Sequence, residues 1–183
     1  PGPTRSGVPE TVAVYAEALA ALDVVETAVL VINASNPLTF HARQLWEAAG
    51  RIGIGRAIGV THLDQDNANF EDIVAQLRDA FGHAVVPATY PNANGKDFDS
   101  VYDVTHDEGP LAPKYHEMIE EDEAEVDDTL MELYLEQGAE LSPEQLHDPF
   151  EQALRENHLI PVCFTSLQTD AGVAELLNVF ARL

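Results

Sequence analysis

Residues 27–34 read Thr-Ala-Val-Leu-Val-Ile-Asn-Ala, and the five apolar side chains from Ala28 to Ile32 follow one another without a polar interruption. A strand that is buried on both faces has this composition, and such strands build the parallel sheets of α/β proteins. Shorter apolar runs of the same kind predict three more strands, over 56–60, 83–87 and 160–164. The sequence therefore predicts an α/β fold.

Helices are predicted between these strands, because apolar residues recur there at helical spacing. The predicted ranges are 9–22, 38–50, 67–81 and 171–182. Gly50 and Gly82 are predicted to end the second and the third of these helices. Strands that alternate with helices of this length predict crossover connections and a mostly parallel sheet. The stretch 89–113, rich in Gly, Pro, Asn and Asp, predicts a loop with a short hairpin.

Negative charge is concentrated in one part of the chain. The 183 residues carry a formal net charge of -23, and residues 97–156 hold 20 of the 32 acidic side chains against only Lys114 and Arg155. Such a shift in charge predicts an inserted subdomain, with helices over 114–136 and 142–157. The predicted division is an α/β core at 1–96, an acidic and mostly helical insertion at 97–158, and the last strand and helix of the core at 159–183.

Composition excludes several classes of function. A chain this acidic is not expected to bind nucleic acid directly, because phosphate contacts need Lys and Arg. No apolar run approaches the roughly 18 residues that cross a bilayer, so no membrane association is expected. The single Cys163 excludes an internal disulfide and a multi-cysteine metal site. A cytoplasmic location is expected on these grounds.

Polar residues that could bind a ligand follow two of the predicted strands. Thr61-His62-Leu63-Asp64 follows the second predicted strand, and Thr165-Ser166 follows the fourth. Ligands of α/β sheets bind outside the carboxyl ends of the strands. There, Asp64 could accept two N–H bonds from a base edge, and Ser166 could fix a carbonyl-bearing ligand. The alternative is that Asp64 merely turns the loop or caps the next helix, and the pattern alone favours that alternative.

Other polar clusters predict no catalytic or metal site. The acidic run 120–128 lacks the glycine and the ligand spacing of a calcium loop. His116 and Glu117 begin a zinc-protease pattern, but Glu120 stands where the second histidine is needed. Cys163 is interpreted as a core residue rather than a nucleophile. We therefore predict no catalytic residue and no metal ligand in the chain.

Three stretches of the sequence resemble a known family. Residues 57–70, AIGVTHLDQDNANF, are similar to the strand and guanine-specificity motif of translational GTPases. Residues 124–146, AEVDDTLMELYLEQGAELSPEQL, and 159–183, LIPVCFTSLQTDAGVAELLNVFARL, resemble the end of the insertion and the last strand and helix of the elongation factor G nucleotide-binding domain. The resemblance covers most of the chain from 28 to 183. It implies a partial P-loop-NTPase-like three-layer sandwich with a mostly parallel sheet and an acidic helical insertion.

The same resemblance implies a cofactor, GTP or GDP, and places its base at the two strand ends. Asp64 would pair with the ring N–H and the amino group of guanine. Thr61, His62, Ser166 and Leu167 occupy the other positions of the base-binding motifs. The family's usual Asn, Lys and Ala are replaced here by Thr61, His62 and Leu167. The implied partners are the ribosome and the ribosomal stalk protein.

The sequence contains no Gly-x-x-x-x-Gly-Lys-Ser/Thr loop, which in such enzymes holds the phosphates and Mg²⁺. Mg²⁺ is therefore expected only if such a loop exists upstream. Pro1-Gly2 resembles a remnant of the Asp-x-x-Gly motif, and Pro3 stands where the family has a water-positioning histidine. The implied family role is GTP-dependent translation elongation, and this chain alone is not expected to hydrolyse GTP.

The chain is expected to be a fragment or a truncated relative. Its strand at 28–33 would then lie at an unpaired apolar edge of the sheet, which favours self-association. The alternative function is a non-catalytic interaction module that docks on the ribosomal stalk protein with a decayed nucleotide site. An unrelated α/β enzyme would need a catalytic cluster that the sequence does not offer.

Overall fold

The computed structural model describes residues 10–65, 68–106, 109–115, 117–118 and 157–181. They form a mixed α/β fold around a parallel sheet with the strand order β1-β2-β6-β3. The strands are β1 (Thr27–Asn33), β2 (Gly55–Thr61), β3 (Val85–Pro87), β4 (Thr89–Pro91), β5 (Val101–Asp103) and β6 (Ile160–Phe164). The helices are α1 (Glu10–Leu22), α2 (Phe40–Ile52), α3 (Phe70–Phe81) and α4 (Val173–Phe180). The predicted α/β class and mostly parallel sheet are confirmed.

The most apolar strand of the sequence lies at the edge of this sheet. β1 pairs with β2 along its whole length, from Thr27 opposite Gly55 to Asn33 opposite Thr61, and no other described strand pairs with it. Val31, in the middle of β1, is 64% exposed. The predicted edge position of 28–33 therefore holds within the part of the chain that the structure describes. The prediction that this strand is buried on both faces is wrong, because Ile32 is the one buried residue of β1.

The core lies between the sheet and the helices. Trp46 of α2 stacks on Phe81 of α3 with ring centroids 4.6 Å apart, so these two helices meet on one face of the sheet. Each fully buried apolar side chain, such as that of Ile58 or Leu77, stabilises the fold by about 1.5–3 kcal/mol relative to an exposed one. Cys163 is fully buried, and burial raises its pKa to about 12. The interpretation of Cys163 as a core residue is confirmed.

The predicted end of the second helix at Gly50 is wrong. α2 continues through Gly50 and ends at Gly53, which adopts the left-handed conformation (φ 81°) and donates its N–H to Ala49 O at 3.0 Å. Gly50 stays helical and serves packing instead, because a Cβ there would come within 3.0 Å of Arg56 Nη1.

The third helix and third strand begin later than predicted, whereas Gly82 ends α3 as predicted. The start of α3 is set by Asn69, whose side-chain oxygen accepts the N–H of Glu71 at 2.9 Å. The start of β3 is delayed because the N–H of Val85 closes a turn onto Gly82 O at 3.3 Å. Pro87 ends β3, which lies at the far edge of the sheet and therefore tolerates it.

The predicted short hairpin within 89–113 is confirmed as the antiparallel pair β4–β5. The predicted helices at 114–136 and 142–157 lie almost entirely outside the described residues, and Pro1-Gly2 and Pro3 lie outside them as well. None of the described helices has the length and apolarity to cross a bilayer.

Candidate functional site

The two predicted strand ends lie side by side. β2 and β6 are parallel neighbours, with Val60 opposite Phe164. Thr165 ties the two ends together, because its N–H and its hydroxyl both donate to Val60 O, at 2.8 and 3.3 Å. Continuing this register places Thr61 beside Thr165, and the loops that start at His62 and Ser166 leave the same edge of the sheet.

Burial and backbone hydrogen bonds anchor the loop after β2 on both sides of Asp64. Leu63 is fully buried in the core, and its carbonyl accepts the N–H of Gly95 at 3.1 Å. A turn closes across the loop, because the N–H of Gln65 donates to His62 O at 3.3 Å. Asp64 is the half-buried residue at this turn, so its carboxylate stands on a backbone that these hydrogen bonds anchor.

Asp64 does not cap the helix that follows it. The first N–H groups of α3 are taken by two other side chains: Asn69 accepts from Glu71, and Asn94 accepts from Phe70, each at 2.9 Å. Within the described residues, no hydrogen bond or ion pair engages the Asp64 carboxylate. As far as the described residues go, both oxygens are therefore available to a pair of external N–H donors. Of the alternative interpretation, the role in the turn fits Asp64 and the role as a helix cap does not.

Thr61 and His62 form a short hydrogen-bond chain at the end of β2. The Thr61 hydroxyl donates to Ile32 O at 3.2 Å, and its oxygen lies 2.9 Å from His62 Nδ1. Because the hydroxyl has only one proton, this arrangement assigns the imidazole proton to Nδ1. His62 is exposed and has a φ of 63°. That conformation costs a non-glycine residue about 1 kcal/mol and is common at ligand sites.

The loop after β6 presents a backbone donor. Ser166 is fully buried; its oxygen accepts the N–H of Gln168 at 3.3 Å, and its own N–H donates to Ala171 O at 3.0 Å. The following residue, Leu167, is 74% exposed. Its backbone N–H has no partner among the described residues. Ser166 thus holds the loop closed, and Leu167 carries the free N–H.

Sequence reasoning missed the residues that support the site from β1. The hydroxyl of Ser35 donates to the Gln65 side chain at 3.0 Å, which links the loops after β1 and β2. The side chain of Asn33 accepts the N–H of Ser35 at 2.9 Å. A usable signal was present, because Asn33, Ser35 and Asn36 directly follow the apolar run of β1, whose carboxyl end reaches the same edge.

The described residues offer no metal centre of their own: nowhere among them do three or more His, Cys, Asp or Glu side chains come together as ligands. The groups at this site can bind a ligand through hydrogen bonds. A fixed, unpaired carboxylate, an exposed imidazole and a free backbone N–H line one edge of a parallel sheet, where α/β proteins bind their ligands.

Comparisons with known proteins identify the family of the chain. Residues 13–183 match the family model for the elongation factor Tu GTP binding domain. An elongation factor G-like protein of Mycobacterium tuberculosis is 29% identical over 91% of this chain and 25% of its own length. One of Thermotoga maritima is 24% identical over 88% of this chain and 26% of its own length. The chain thus spans about a quarter of these relatives.

A solved structure shows the same fold. A crystal structure of a Thermus thermophilus protein superposes with a TM-score of 0.78 and 26% identity, over 91% of this chain and 27% of the other. The predicted fold class of this chain, a P-loop-NTPase-like α/β sandwich with a mostly parallel sheet, is therefore confirmed. The chain therefore belongs to the elongation factor Tu GTP-binding domain family, as an elongation factor G-like translational GTPase domain.

Proposed function

We propose that this chain carries the guanine-recognising side of a translational GTPase nucleotide site. In this proposal the two oxygens of Asp64 accept the ring N–H and the amino N–H of guanine. The free N–H of Leu167 donates to the guanine carbonyl, and Ser166 keeps that N–H in place. His62 covers one face of the base, oriented by Thr61. The observation that supports this most is the unengaged Asp64 carboxylate beside the donor loop of β6.

The described residues fit the base but not the phosphates. Guanine offers two adjacent donors and one acceptor, which match Asp64 and the Leu167 N–H in number and kind. Phosphates and Mg²⁺ need a glycine-rich loop with its Lys and Ser/Thr, and that motif does not occur in residues 1–183. Phosphoryl transfer depends on those positioning groups, so we propose that these residues alone do not hydrolyse GTP.

Titration calorimetry with GDP tests the proposal. We expect saturable heat at millimolar GDP, because base contacts alone contribute only a part of the usual affinity, and no heat with ADP at the same concentration. Adenine lacks the donor pair that Asp64 would bind. Absence of heat with GDP at millimolar concentration, or equal heat with ADP, would contradict the assignment.

In the whole protein we propose the family role of GTP-dependent translation on the ribosome, in the cytoplasm. We also propose that its domain consists of an α/β core at 1–96, an acidic insertion at 97–158 and the last strand and helix of the core at 159–183. The alternative is a non-catalytic module that docks on the ribosomal stalk protein. The concentration of 20 of the 32 acidic residues in 97–156 supports it. Capture of purified stalk protein without any binding of GDP would favour the module over the nucleotide site.

Self-association is proposed for the open edge of β1. An edge strand presents unpaired N–H and C=O groups that another strand can join, and Val31 adds an exposed apolar side chain at its centre. Light scattering coupled to size exclusion should show a dimer that Val31→Lys disrupts, because an edge lysine opposes strand pairing. Val24→Lys is the matched control, because Val24 is 83% exposed but lies outside β1. A monomeric parent chain at high concentration would contradict this proposal.

A further inference from the structure

A cavity of about 160 Å³ lies between α1, β1 and α2, near the amino ends of the strands. Its wall is apolar except for Arg56, and includes Ala18, Val29, Leu45 and Trp46. A cavity of about 150 Å³ with an apolar lining is large enough to bind a molecule the size of benzene. This one therefore has room for a small organic ligand.

Arg56 is the one charged side chain in this wall. Its guanidinium carbon lies 4.8 Å from the centre of the Trp46 ring, and its Nε–H is buried without a hydrogen-bond partner. No carboxylate of the described residues pairs with it. Burial lowers the pKa of Arg56, as expected for a cation short of partners. Buried donors of folded proteins nearly always have a hydrogen-bond acceptor. The Arg56 Nε–H is therefore a place where a ligand could supply one.

The cavity is separate from the base site and is open to entry. Arg56 is the second residue of β2 and Thr61 the last, which puts about 16 Å of strand between them. Several lining residues, among them Ala18, Val29 and Leu45, are only half-buried. A ligand can thus reach the cavity without opening the main core.

We propose that this cavity binds a small organic carboxylate, with its apolar body against the walls from α1 and α2 and its carboxylate on Arg56. The apolar lining selects a hydrocarbon body, and the unpaired guanidinium selects an anionic, planar acceptor, which is the geometry that arginine binds best. Binding would also join α1 to α2 and β1 through one ligand.

Trp46 supplies the readout, since it is the only tryptophan of the chain and lines the cavity. Butanoate, hexanoate and octanoate, each with the alcohol of equal length, are titrated while the emission of Trp46 is recorded. We expect saturable changes, with hexanoate binding about tenfold more tightly than hexanol because of the charge-assisted hydrogen bond. Equal affinity of acid and alcohol, or no response to any of them, would overturn the proposal.

Two variants separate the charge from the cavity. Arg56→Met keeps the apolar stem and should remove the preference for hexanoate while leaving hexanol binding unchanged. Arg51→Met is the matched control, because Arg51 is exposed at the end of α2 and outside the cavity wall, and it should behave like the parent. A different outcome is that the Trp46 emission changes with protein concentration and that hexanoate binding is lost as the concentration rises. This would mean that a second copy of the chain fills the cavity, and it would contradict the proposal.

Discussion

Replacement of Gly172 by alanine is expected to lower the free energy of unfolding by about 3 kcal/mol. Gly172 starts α4 with a φ of 74°, where a side chain is strained. An added Cβ would also lie 2.0 Å from the carbonyl oxygen of Phe164, so the backbone of β6 and the start of α4 must move apart. Urea denaturation followed by circular dichroism measures the loss.

Gly53→Ala is the control for this variant. Gly53 has a similar left-handed φ of 81°, but nothing lies within 4 Å of the Cβ position. It should therefore lose only the conformational part, about 1 kcal/mol. Since the Phe164 carbonyl directly precedes the loop that ends at Ala171, Gly172→Ala should also weaken GDP binding. Equal losses for the two alanine variants would show that the close approach at Phe164 does not matter.

Asp64→Asn is expected to weaken GDP binding about tenfold to a hundredfold and to create binding of xanthosine diphosphate. An asparagine offers one acceptor and one donor in place of two acceptors. It therefore loses the amino group of guanine, but it matches xanthine, which carries a carbonyl at that position. Calorimetry with both nucleotides measures the exchange of preference.

Stability decides between the two interpretations of Asp64. Asn69 and Asn94 take the first N–H groups of α3, so Asp64→Asn should leave the melting temperature unchanged. Asp79→Asn, at an exposed position of α3, removes the same charge and should change neither affinity nor stability. A clear drop in melting temperature for Asp64→Asn, with GDP affinity unchanged, would return Asp64 to a purely structural role.

Much of the fold follows from local pattern. The run from Ala28 to Ile32 predicts β1, and Gly82 marks the end of α3, because those signals lie within the elements themselves. Gly50 wrongly predicted the end of α2, because a glycine is needed there for its close packing against Arg56 on the next strand. A residue's sequence neighbours do not show such a contact.

Part of the candidate site could likewise be predicted from local pattern, and part depends on contacts between distant residues. Parallel strands end at one edge, so the proximity of His62 and Ser166 could be predicted from their places after β2 and β6. The freedom of the Asp64 carboxylate could not, because it depends on Asn94, which caps α3 from 24 residues further along the chain. Nor could the sequence predict that the Arg56 Nε–H lacks a hydrogen-bond partner among the described residues, because this depends on how Arg56 packs against Trp46.

The position of β6 has a consequence for the order in which the molecule is made. β6 fills the gap between β2 and β3, yet it follows β2 by about a hundred residues. At a synthesis rate of roughly 5–20 residues per second, that gap lasts about 5–20 s. Throughout this time β2 has an open, apolar edge on a nascent chain. The acidic stretch 97–156 is synthesised during the same interval, and like charges on neighbouring chains repel each other.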